Sequence, residues 1–346
     1  MDKPYLLAGT YTKEESKGIY LYSFDNLTGE AEYLSMVEVE NPSYLTVSKN
    51  GKYIYAVSKN ENKPSFANSL FFDRKRTKIE RLNRQRSEGD APCYIELDNT
   101  EQYVVTANYG GGNISIFKIS DDNAIQPATQ IIDFKGKSID RERQEASHPH
   151  CVKFSPDSKY LFVNNLGTDT IYRFELDYNS NSFLDKNSQT NFKVDAGSGP
   201  RHLIFHPNGK HLYLINELAG TVIAFDYNNG DIQQIQSINA DLLNAKGSGD
   251  ICITPDGKFL YASNRHKGDG IAVFSVNADS GKLSKTDYQY TANHPRNMVI
   301  SPLGKFLLVA SMKSNVIEIF EISNTGKLNN INKNIELNMP VCLKFI

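Results

Sequence analysis

The chain has 346 residues, with 38 Lys and Arg against 40 Asp and Glu, 39% apolar and 11% aromatic residues, four Cys and no Trp. That is ordinary globular composition, and it excludes a disordered or collagen-like chain. A net charge of −2 offers no footprint for nucleic acid or an anionic membrane, and no stretch approaches the ~20 apolar residues of a bilayer span.

The opening segment, MDKPYLLAGTYTKEE, lacks the apolar run of a secretory signal, so the cytoplasm is the expected compartment. From residue 41 onward one unit recurs: a Pro-led apolar strand, a turn of the Asn/Asp-Gly-Lys kind, a second apolar strand ending in a polar cluster, and a third, alternating strand. Its copies lie at 41–60, 91–119, 148–176, 199–227, 247–276 and 294–322 and start about 45 to 57 residues apart, enough for four short strands. The last residues, MPVCLKFI (339–346), copy only the first strand. The N-terminal 5–25 supplies a second and third strand with no first. Joined, they make a seventh copy. The spacing therefore predicts an all-β chain, a single seven-bladed β-propeller over residues 1–346 whose last blade takes strands from both termini. A β-sandwich or solenoid leaves the complementary partial repeats unexplained, and the lack of Trp excludes a standard WD repeat.

Cys93, Cys151, Cys252 and Cys342 recur at similar places in the first strand and have no CxxC spacing, so they read as small buried hydrophobes. Residues 133–147, charged and apolar-poor, read as a solvated surface insertion with a lid as the alternative.

In each hairpin the start of the first strand lies beside the end of the second, so one end of every unit gathers two short segments. The starts carry Ser43, Pro92, His148 with His150, Arg201 with His202, Asp250, and Arg296 with Asn297. The ends carry Lys59, Asn60, Asn108, Tyr109, Asn164, Asn165, Asn216, Glu217, Asn264, Arg265 and His266, with Gly9-Thr10-Tyr11 from the N-terminal segment. The opposite end repeats turn chemistry such as Pro207-Asn208-Gly209-Lys210. Three arginines and four of the chain's seven histidines thus surround one acid, Glu217, which suits an anionic small molecule. The recurring Asn108, Asn164, Asn216 and Asn264 read first as turn or backbone caps and only second as substrate contacts. Arg201 and Arg265 each need an anion or a carboxylate, and a structural ion pair with Glu217 or Asp250 is the alternative to a substrate contact. His206 and His211 fall at the turn end and read as structural, while the role of His294 stays open.

These segments resemble the seven-bladed propeller lactonases of the 6-phosphogluconolactonase type, a family that includes fungal carboxymuconate cyclases, and the likeness covers essentially the whole chain. It rests on Gly199-Pro200-Arg201-His202, Asn216-Glu217-Leu218, His148-Pro149-His150, Asn264-Arg265 and His294-Pro295-Arg296. Where many relatives have Asp-Leu-Gly, this chain has Asn165-Leu166-Gly167. The resemblance implies hydrolysis of 6-phospho-D-glucono-1,5-lactone in the oxidative pentose phosphate route. It carries the cyclase branch's functional His, two Arg and Glu onto His150, Arg201, Glu217 and Arg265.

Lactone opening needs an activated water, a stabilised oxyanion and protonation of the ring oxygen. Glu217 or His150 is the expected base, with Arg201, supported by His202, at the oxyanion. Arg265, His266, Arg296, His148, Asn216 and Asn165 are the expected substrate contacts. No cofactor and no metal is expected, calcium being the alternative the asparagines keep open. The expected partner is a small anionic phosphosugar lactone, with neither nucleic acid nor membrane. A lactonase or cycloisomerase on another sugar-acid or muconate-type lactone, and a non-catalytic binding platform, are the rival readings.

Overall fold

The computed structural model describes residues 4–60, 64–180 and 182–346, and among these the regular structure is almost wholly β. The strands pair antiparallel into seven sheets, each with a run of four hydrogen-bonded neighbours; one adds the short strand Ile335–Glu336 beside Val316–Ile322. One unit illustrates the rest: Pro200–Phe205, His211–Asn216, Thr221–Asn228 and Asp231–Asn239 follow each other across the sheet. The second strand, HLYLIN, is buried throughout, because both of its faces are covered. The fourth, DIQQIQSIN, is an edge strand whose residues are exposed or half-buried apart from Ile232.

The seventh copy is built as the partial repeats require. Pro340–Phe345 pairs with Tyr5–Thr10, Leu6 opposite Phe345 and Ala8 opposite Leu343, and Gly18–Phe24 and Ala31–Glu38 complete the sheet.

The chain divides into two compact units, residues 1–34 with 201–346, and residues 35–200. In the first, neighbouring sheets pack face to face: Leu6, Ala8, Phe24 and Leu343 meet Phe306, Leu308, Ile317 and Ile319, and Cys252, Tyr261 and Val273 meet Met298, Leu307 and Phe320. In the second, Tyr44 stacks on Tyr94 at 3.9 Å and Tyr103 on Phe183 at 3.9 Å. Tyrosines of the second strand also latch sheet to sheet: Tyr213 donates to Gly281 O at 3.0 Å and Tyr261 to Gly326 O at 2.9 Å.

At the turn end, Ser48, Ser155, Thr254 and Ser301 each accept a backbone N–H from the start of the second strand through the side-chain oxygen. His206 stands at the same place and caps with Nδ1, accepting from Asn208 N at 3.0 Å. His211 contacts Asp226 at 2.9 Å, so both histidines are structural.

All four cysteines are free thiols; Cys151, Cys252 and Cys342 are buried in first strands, whereas Cys93 is half-buried. Residues 134–147 are irregular as expected, but they are not simply solvated. Gln144 is fully buried and donates to Leu166 O and to Asp169 Oδ1, both at 2.8 Å, which pins the insertion to its own unit.

Candidate functional site

The first strand's start, the second strand's end and the same pair in the next sheet bring Arg201, Glu217 and Arg265 together. All three are buried. Arg201 Nε donates to Glu217 Oε2 at 2.8 Å, and Arg265 Nη2 lies 3.3 Å from the same oxygen. The guanidiniums are further held by backbone carbonyls, Arg201 Nη1 on Gly249 O (2.6 Å) and Arg265 on Gly247 O (2.6 Å) and Ser248 O (2.9 Å). Gly249, which supplies one of these carbonyls, is itself closely packed: a Cβ there would stand 2.6 Å from Ser263 Oγ and 2.9 Å from Pro295 O. One carboxylate therefore faces two fixed cations in a water-poor setting, where charge interactions are strong.

Behind Arg201 lies a second pair. His202 Nδ1 meets Asp250 Oδ1 at 2.7 Å, while Asp250 Oδ2 accepts from Asn297 Nδ2 (2.5 Å) and Met298 N (2.9 Å). Burial and the Arg201 charge push the His202 pKa down to about 4 against the opposing pull of Asp250, so the ring is neutral near neutrality. Nδ1–H then donates to Asp250, and Nε2 accepts from Arg201 Nη1 at 3.0 Å. Burial would raise the Asp250 pKa, but the His202 hydrogen bond and the other contacts outweigh it and hold the carboxyl below its ordinary value. His202 is thus a clamp on Arg201.

A third group adjoins these. His266 and His294 both have left-handed backbone, φ +82° and +67°, and both N–H groups donate to Asp269 Oδ1, at 3.2 and 2.6 Å. Their rings meet at 5.4 Å. The 293–294 backbone also holds the turn 312–314, with Met312 N on His294 O (3.0 Å) and Lys313 N on Asn293 O (3.2 Å). Arg296 lies over the Tyr11 ring at 5.3 Å. Burial first, then Arg265, Arg296, His266 and Lys313, hold the His294 pKa down to about 2. Burial, Arg265 and Lys313 also lower His266, with Glu217 and Asp269 opposing.

In the other unit, His150 is buried with its ring edge-on to Tyr109 at 5.7 Å. His148 stacks on Tyr109 at 4.3 Å, and its ring nitrogens contact Tyr109 O (2.8 Å) and Glu145 Oε1 (2.9 Å). Three of the expected substrate contacts also hold the hairpin ends. His148 has both ring nitrogens engaged by its own chain. Asn165 is fully buried, its amide accepting from His148 N at 2.9 Å and donating to Ser147 Oγ at 2.7 Å. Asn216 is fully buried and donates to Thr221 Oγ1 at 3.0 Å. Each supports the hairpin end, as Asn108 and Asn264 do through Ser87 O (3.1 Å) and Ala240 O (3.0 Å).

Sequence reading missed Asp269, which ties two loops through backbone alone and carries no motif. It also missed Glu318, a buried carboxylate with its pKa raised by burial against hydrogen bonds from Ser311 Oγ (2.7 Å) and Ala292 N (2.9 Å). Among the described residues, no three His, Cys, Asp or Glu side chains gather as a metal centre requires, and no helix is long and apolar enough to cross a membrane.

A family model described as lactonase, 7-bladed beta-propeller matches residues 5–345. The 6-phosphogluconolactonase of Formosa agariphila is 36% identical over 341 residues, 96% of this chain and 97% of that protein. That of Bacillus subtilis is 34% identical, over 98% and 97%. Among solved structures, a Bacteroides fragilis protein superposes with TM-score 0.96 at 48% identity, covering 100% of this chain and 98% of that one. The Pseudomonas aeruginosa periplasmic gluconolactonase gives 0.92 at 28%, covering 99% of each.

Proposed function

The chain belongs to the seven-bladed β-propeller lactonase family, and from that premise we propose that it hydrolyses 6-phospho-D-glucono-1,5-lactone to 6-phosphogluconate, without a metal, as one domain over residues 1–346. The observation that carries this reading is Glu217 held between Arg201 and Arg265.

Glu217 takes a proton from water as the water oxygen bonds to the lactone carbonyl carbon. Arg201, oriented by His202 and Asp250, stabilises the carbonyl oxygen as it gains charge. The ring C–O bond then breaks, and the proton on Glu217 passes to the departing ring oxygen. A fixed guanidinium needs no reorganisation at that moment, and for a lactone that already opens in water a modest barrier reduction suffices. Arg265, His266 and Arg296 take the phosphate by charge-assisted hydrogen bonds. His150 is the rival base. The four free thiols suit a reducing compartment, and we place the reaction in the cytoplasm.

The gluconolactonase relative favours a second reading, an unphosphorylated lactone. Loss of Arg265 separates the two, since it then affects both kinds of lactone equally. For the proposed chemistry, Glu217→Gln and Arg201→Lys are each expected to lower kcat/KM at least about tenfold, or ~1.4 kcal/mol, with the circular-dichroism spectrum unchanged. Near-normal rates in both contradict it, and a comparable loss confined to His150→Gln transfers the base to His150.

A further inference from the structure

Building on the proposed phosphorylated substrate, we infer that His294 and Lys313, carried on loops strapped together through Asp269, complete a phosphate-selective subsite with His266, Arg265 and Arg296. They thereby set the preference for a phosphorylated over an unphosphorylated lactone.

The placement is built rather than incidental. Asp269 fixes the His266 and His294 backbones with one oxygen, and residues 293 and 294 fix the turn that bears Lys313 with two further backbone hydrogen bonds. Three segments distant in sequence are thus brought to one place. Among the described residues neither Arg296 nor Lys313 has an ion-pair partner, and the nearby Asp269 oxygen is occupied by backbone N–H groups. Lys313 is exposed, so it reaches solvent-borne anions at little desolvation cost.

His294 argues the same way. The residue before the first-strand proline is left-handed in other units too, at Asn41 (φ +43°), Ala91 (φ +48°), Gly199 (φ +66°) and Met339 (φ +52°), so the fold sets this backbone and leaves the choice of side chain open. At His294 that side chain is a ring buried beside cations, with Nδ1 lacking a hydrogen-bond partner among the described residues. Packing alone would favour an apolar or smaller residue. A multiply charged anion offsets the crowded positive charge and lets the two rings donate. Glu217 acts electrostatically on His266, so the subsite borders the proposed reacting centre.

The test compares wild type, Lys313→Met and His294→Gln on 6-phosphogluconolactone and on glucono-1,5-lactone. It also measures the thermal midpoint of each protein with and without inorganic phosphate. Expected are an at least tenfold fall in the ratio of kcat/KM for the phosphorylated over the plain lactone, carried by KM, and loss of the phosphate-induced rise in the midpoint. An unchanged ratio with undiminished phosphate stabilisation overturns the inference while leaving the lactonase reading standing. A wild type that fails to accelerate the phosphorylated lactone overturns the underlying reading, and the inference with it.

Discussion

Glu217 is 4% exposed and meets Arg201 at 2.8 Å, so deleting either partner leaves an uncompensated charge where water barely reaches. Arg201→Lys keeps the charge, and Glu217→Gln keeps the shape and one accepting oxygen, which is why lysine and glutamine replace deletion to alanine. The neighbouring His202 gives an independent readout through pH. In the unfolded chain it binds a proton near pH 6.5, whereas the fold excludes that proton until about pH 4. Stability is therefore fully present above pH 6.5 and is lost as pH falls toward 4, by about 3 kcal/mol for this group. His202→Gln is expected to flatten the fall in thermal midpoint across that window, and an unaltered slope contradicts a neutral, clamped ring. Arg201, Glu217 and Arg265 were legible because a repeat exposes the positions that break it. Asn165, Asn216 and His148 stand at those same positions and also hold the hairpin ends, a second role that only tertiary contacts reveal. Asp269 reaches the backbone of His294, 25 residues on, and Gln144 the carbonyl of Leu166, 22 residues on, contacts that leave no local pattern.

At the scale of elements, the hairpin of first and second strands was readable from its buried apolar runs, Gly-bearing turns and leading proline. The fourth strands were not individually readable. Lys78–Arg86, for example, is an edge strand with mostly exposed side chains, so its pattern resembles a polar loop. The Tyr261 latch to Gly326 O is one buried hydrogen bond between sheets, and Tyr261→Phe is expected to cost about 1 kcal/mol in denaturant titration, with no change in slope. A gain in stability contradicts the latch. The terminal sheet is the larger test. Val341, Cys342 and Leu343 are all nearly fully buried, and each such side chain contributes about 1.5–3 kcal/mol, a total comparable to a domain's whole stability. Removal of residues 339–346 is expected to abolish cooperative melting, and a melt within a few degrees of the intact chain contradicts the role of the C-terminal strand.

For the molecule as a whole, the fold and the candidate site obey different constraints, and the sequence records both. Turn ends repeat because each hairpin solves the same capping problem, with Ser48, Ser155, Thr254 and Ser301 interchangeable and even His206 serving. The other ends diverge from repeat to repeat, the variety that the proposed small-molecule substrate calls for. The same division fits relatives of 28–48% identity that share the fold over nearly all of the chain. The most direct measurement is the rate at which purified protein opens 6-phosphogluconolactone, generated in situ, above the spontaneous rate and in excess chelator. Clear acceleration, undiminished by the chelator and lost in Glu217→Gln, is the expected result. No acceleration by folded protein, with or without added calcium, contradicts it.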